Sequence, residues 1–210
     1  MSYAITQESF DSLASCWADS SNHLRWNSPF VLPAWLQVWW QELGSEAELY
    51  LGTVRQGEEI IGIAPLQIRE GRASIIGSTD VCDYLDFIVV PGREKDFFSV
   101  LLDDLRQQDI NHLDLESLRP DSTALTNLVG IAQNRGYEVL CRQEEVSVEL
   151  DLPATWEEYL AALSSKQRHE VRRKLRRLSE AGKVDYHVAK DSEAVWLQKS
   201  SGVQDWQHHP

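Results

Sequence analysis

The chain has 210 residues, 42% of them apolar, with eight Trp and a formal net charge of -13. That apolar content excludes a disordered chain, and the acid excess excludes general nucleic-acid binding through most of it. No apolar run reaches the roughly 18–20 residues that cross a bilayer. The opening MSYAITQESF lacks the basic and apolar stretches of a signal peptide. A cytoplasmic protein without membrane insertion is therefore expected. The charge is uneven: residues 1–150 hold 10 Lys/Arg against 24 Asp/Glu, and residues 151–210 hold 10 against 9. Cys16, Cys82 and Cys141 are odd in number and far apart. They fit neither a disulfide framework nor a metal set and are expected to be reduced, buried small hydrophobes.

In chain order, residues 8–20 and 33–43 are predicted as helices, with Pro33 suited to a first turn and Gly44 ending the second. Trp35 and Trp39 share a helix face and read as core. ELYLGTVRQGEEIIGIAPLQIRE reads as an antiparallel hairpin around Gly57, apolar on both alternation faces and hence covered on both sides. RASIIGS and YLDFIVV follow as short strands. Phe97, Phe98, Leu101, Leu102 and Leu105 have helical spacing, and HLDLESL alternates as a strand. Asp121 or Ser122 caps a further helix that Gly136 ends, and Val146, Val148, Leu150 and Leu152 alternate through a last strand. Helices and strands in this mixed order indicate an α/β or α+β domain of three layers, expected to span residues 1–152.

The plan then restarts over 153–210. Thr155 with Glu158, and Ser164 with Gln167, are two capping boxes. Gly182 is expected to end the second helix in the left-handed conformation. Val171, Leu175 and Leu178 form a narrow apolar stripe among Lys166, Arg168, Arg172, Arg173, Lys174, Arg176 and Arg177. A strand is expected at Val184–Val188. Two helices and one strand cannot close a sheet, so this second unit reads as incomplete, with self-association through its uncovered face as one consequence.

The phrases PFVLPAWLQVWWQELG, IIGIAPLQI, DYLDFIVVPG, LESLRPDS and LPATWEEYLAALSSKQRHEVRRKLRRLSEAG stand in that order across roughly residues 25–190. Together they resemble the GNAT acyltransferase superfamily, in the bacterial branch grouped with CelD-like and Fem-type proteins. The resemblance implies a GNAT-like α/β/α mixed sheet followed by the start of a second such unit. It also implies acyl transfer from acyl-CoA, as co-substrate rather than tightly bound cofactor, to an amine of a small molecule. Exopolysaccharide or cell-envelope modification is the setting it implies. In that branch the first unit is a degenerate partner and the donor loop lies further along than residue 210, so this polypeptide is expected to be inactive.

Candidate site residues follow. A GNAT-type site holds pyrophosphate on bare backbone N–H groups at a helix start; the equivalent position here is PGREKD, with Gly92 and Arg93 as the donor-binding pair. Glu94 and Asp96 stand in the same turn, where acids cap a helix well and repel a phosphate. Asp83, Tyr84 and Asp86 read either as a catalytic wall with a general base or as a turn bonding its own backbone. Arg119 reads as a substrate-binding guanidinium or as part of a helix cap. Arg168 and Arg172 are implied by the resemblance to line a substrate cleft. No metal set is recognised. The alternative to an acyltransferase is a non-catalytic module that holds a small polar ligand around Asp83, Tyr84 and Arg119, or a protein partner.

Overall fold

The computed structural model describes residues 2–44, 46–146 and 148–184. It divides into two compact units, Met1–Val146 and Ser147–Pro210. The first is built on a six-stranded mixed sheet with helices, an α/β arrangement.

β1 (Tyr3–Gln7) leads into α1 (Phe10–Ala18), whose Ser9 side chain accepts from Ser12 N. A 3-10 turn, Pro29–Val31, is capped by Ser28 and hands over to α2 (Pro33–Leu43), with Pro33 in its first turn. The hairpin is β2 (Glu48–Gln56) against β3 (Glu59–Arg69), with a bulge between Val54 and Arg55. β4 (Arg72–Ile75) and β5 (Ile88–Val89) both pair antiparallel with β3. α3 (Glu94–Gln107) then crosses to β6 (His112–Leu113), which lies parallel to β4, as a parallel pair requires of its connection. A π turn, Ala124–Leu128, runs on into α4 (Val129–Asn134).

Alternation sorts β2 and β3 onto two covered faces. Tyr50, Gly52 and Val54 stand opposite Leu66, Ala64 and Gly62, and α3 covers this side. A Cβ on Gly62 would lie 2.4 Å from the Phe97 ring, so the helix reaches the sheet only where a side chain is missing. The other side is equally dry at Leu51, Thr53, Ile61 and Ile63, and α1 and α2 pack on each other as the remaining layer. The expected three layers and two-sided hairpin are therefore present.

Tyr50 ties sheet to helix. Its hydroxyl donates to Asp104 Oδ2 at 2.7 Å, and Gln108 Nε2 donates to the same oxygen at 2.6 Å. Burial first, then the Asp104 carboxylate, pushes the Tyr50 hydroxyl far above the usual tyrosine range. Below about pH 10 folded and unfolded chains both keep this proton, so its contribution is fully present there. Above that the unfolded chain releases a proton that the folded one retains, and stability falls by about 1.4 kcal/mol per pH unit. Alkaline urea denaturation is expected to show this slope in the parent and a shallower one in Tyr50→Phe.

Several expectations change. The strand β1 was not expected: it is short, largely exposed edge structure with only Ile5 half-buried. YLDFIVV and HLDLESL keep only two strand residues each. No strand forms among the described residues of Val146–Leu152, where Val148 is 92% and Leu152 81% exposed. Alternation supplies a face to bury, but a strand also needs a paired neighbour, and none of the described residues provides one. Trp35 and Trp39 part company, Trp39 buried and Trp35 on the surface. Cys82 is buried, Cys16 partly so, but Cys141 is exposed; all three are free.

In the second unit α5 (Trp156–Ala162) and α6 (Ser165–Ala181) carry both expected capping boxes. Gly182 differs from expectation: at φ 163° and ψ -177° it ends α6 in extended backbone. Leu175 and Leu178 of the apolar stripe are exposed. The strand expected at Val184–Val188 lies outside the described residues beyond Val184. No helix among the described residues is long and apolar enough to cross a membrane.

Candidate functional site

Register locates the unusual part of the first unit. Leu66 pairs with Ile75 and Ile63 with Ile88. Three steps along β3 are thus answered by thirteen on its neighbour, and ten residues are looped out of what is otherwise one strand position. Ile76 N still donates to Pro65 O at 2.9 Å before the departure, and Val90 N to Ile61 O at 3.0 Å after the return. Asp83, Tyr84 and Asp86 all lie in this insertion.

Inside it, Val81 N and Cys82 N donate to Ser78 O, a local turn of the kind Asp- and Ser-rich stretches favour. Cys82 and Leu85 are buried, and Leu85 N donates to Ser117 O at 3.1 Å. Asp83 is exposed. Asp86 is only 3% exposed and accepts from Phe87 N (2.9 Å), Thr123 N (2.8 Å), Thr123 Oγ1 (2.5 Å) and Ala124 N (3.3 Å). Four donors of its own chain engage this carboxylate, three at Oδ1 and Thr123 N at Oδ2. These bonds hold Thr123 and Ala124, at the start of the next helix, against the insertion.

Tyr84 and Arg119 do come together. The Arg119 guanidinium lies 5.2 Å from the centre of the Tyr84 ring, within cation–π range. Tyr84 meets Phe30 at 6.3 Å, and Phe30 meets Trp35 edge-on at 5.1 Å. Arg119 Nε also donates to Asp121 Oδ1 at 3.0 Å. That bond, more than Arg25 beyond it, holds the Asp121 carboxyl below the usual range. Three stretches far apart in sequence thus build one aromatic and guanidinium surface. Phe30 and Thr123 were not singled out from sequence; their roles arise only when the insertion brings Tyr84 and Asp86 to them.

The mouth of α3 is arranged differently from a phosphate cradle. Gly92 has φ +84°, where a bare backbone is needed, and nothing lies within 4 Å of a Cβ built there. Its N–H, however, donates to Glu94 Oε1 at 3.1 Å. Arg93 Nη2 donates to Gln56 Oε1 at 2.6 Å, Nη1 lies 3.7 Å from Glu59 Oε2, and Nε pairs with Asp96 Oδ2 at 3.4 Å. Tyr3, ahead of Asp96, raises the Arg93 pKa further. The chain's own groups thus take up the amide and the guanidinium that a pyrophosphate would use, and three carboxylates surround the place. In this arrangement the residues do not fit an acyl-CoA pyrophosphate.

In the second unit, Arg168 donates to Leu160 O (2.8 Å), Ala161 O (3.3 Å) and Leu163 O (2.9 Å). These are the orphan carbonyls at the end of α5, where a cation is favoured. Its Nε and Nη2 thus cap the end of α5. Arg172 is exposed on α6.

No family model matches the chain, and no curated protein sequence matches it. Among solved structures it is similar to the ribosomal-protein-S18-alanine N-acetyltransferase from Escherichia coli. The identity is 14% and the TM-score 0.40, over 64% of this chain and 77% of that one.

Proposed function

We propose that the chain is a GNAT acyltransferase-like protein whose first unit works without acyl-CoA, as a non-catalytic partner or binding module. The observation that carries this reading is the closed mouth of α3, where Glu94 takes the Gly92 amide and Gln56, Glu59 and Asp96 take Arg93. An anion arriving there would have to displace bonds already made and enter among like charges, both of which cost free energy. The resemblance of the five sequence phrases supports the superfamily, and the mixed three-layer sheet is the architecture it implies. Calorimetric titration of acetyl-CoA into the chain is expected to show no saturable heat. Micromolar affinity would defeat the proposal.

A second reading gives the module a ligand. The Phe30–Tyr84–Arg119 surface offers ring faces and edges with a cation beside them, a combination suited to small polar molecules carrying a planar or anionic group.

A further inference from the structure

α6 differs from the other helices in what it leaves uncovered. Each of α1 to α5 buries at least one side chain, whereas α6, 17 residues long, buries none. Its apolar residues are aligned all the same. Val171, Leu175 and Leu178 recur at spacings of four and three, one stripe along the helix. Val171 is half-buried, Leu175 is 44% exposed and Leu178 52%. A helix of this length is marginal in water on propensity alone and draws most of its stability from packing such a stripe. The stripe is bordered by cations in excess: α6 holds seven Lys/Arg against two Glu. Glu170 is shared by Arg173 and Lys174, and Glu180 lies 3.6 Å from Arg176, while Lys166 and Arg172 make no ion pair among the described residues. Whatever covers this face must be apolar and acidic together.

A second copy of α6 fails that requirement, because it would bring the same cations to the seam. A bilayer surface asks for a broad apolar face with Trp or Phe, and the stripe is three aliphatic residues wide at most. The chain's own continuation meets it. Residues 185–210, which lie outside the described residues, hold four Asp/Glu against two Lys, the opposite sign to α6. Within them the stretch 191–198, DSEAVWLQ, sets Asp191 and Glu193 directly ahead of Val195, Trp196 and Leu197. Reach is no obstacle: the fourteen residues from Ala181 to Val195 can span about 45 Å, and Val171 lies only about 15 Å back along the helix axis. Because the segment is tethered, its effective concentration exceeds what a free partner of equal affinity would need.

We propose that the Val171–Leu175–Leu178 stripe of α6 is the docking surface for this chain's own segment 191–198, seated by its apolar residues and held by the cations beside the stripe. The contact lies wholly within the second unit and is independent of the α3 mouth. Hydrogen exchange of the α6 amides in the full 210-residue chain tests it, against two variants of the segment. One carries Val195→Ser, Trp196→Ser and Leu197→Ser together; the other carries Asp191→Lys with Glu193→Lys. In each variant the amides of residues 171–181 are expected to exchange about tenfold faster or more than in the parent, through easier local opening. The amides of the first unit serve as the internal standard and are expected to keep their rates. Raising the salt to about 1 M is expected to narrow the gap between the parent and the charge-reversed variant, since screening then reaches about 3 Å. Equal α6 exchange in the parent and the apolar variant would overturn the proposal. So would parental protection that fades on tenfold dilution, which would assign the cover to a second copy. Protection that arises only when vesicles of anionic phospholipid are added would assign it to a membrane surface and overturn it as well.

Discussion

Replacing Phe97 with alanine is expected to destabilise the first unit by about 3–5 kcal/mol, the range for emptying a fully buried aromatic site. Phe97 is 0% exposed. It stands edge-on to Phe98 at 5.0 Å and to Phe87 at 5.9 Å, while Phe87 and Phe98 meet at 5.2 Å. This aromatic triad joins the first turns of α3 to the stretch leading into β5, and such pairs add to plain area burial. The Gly62 contact makes collapse around the vacancy difficult, because the missing ring leaves bare backbone as one wall. Urea denaturation should show a lower midpoint at unchanged slope. A loss under about 1.5 kcal/mol would mean that the site closes up, and that α3 is not held by this ring.

Asp86→Ala is expected to cost about 3 kcal/mol, since three backbone amides and a hydroxyl lose a charged acceptor in a place closed to water. Asp86→Asn should cost less, because one oxygen survives to accept, though its amide group then faces donors. Chemical denaturation of both variants gives the order. Equal stability of parent and Asp86→Ala would show that the carboxylate contributes nothing to holding the helix.

Much of the fold could be read from local pattern because local interactions decide it. Pro33 and Gly44 bound α2 as expected, and both capping boxes form at Thr155 and Ser164, since a cap involves residues only three apart. The hairpin was legible because nine paired positions alternate on both faces around one turn. What local pattern lacks is partnership. β1 pairs with β2 across some fifty positions, Tyr3 opposite Gln56, and nothing in YAITQ announces it. Val146–Leu152 has the better alternation, and no strand pairing forms over its described residues. The site follows the same logic. Glu94 and Asp96 at the start of α3 already indicated a mouth hostile to phosphate, and the bond from Gly92 N to Glu94 is its local expression. The capture of Arg93 by Gln56 and Glu59 depends on the hairpin end arriving beside it. The role of Asp86 depends on a register jump that no short window contains.

The closed α3 mouth is the claim on which the functional account turns, and residue-resolved titration with acetyl-CoA tests it most directly. Amide spectra recorded up to millimolar acetyl-CoA are expected to leave the Gly92, Glu94 and Lys95 resonances in place. Saturable shifts concentrated on those three amides, at micromolar ligand, would contradict the account.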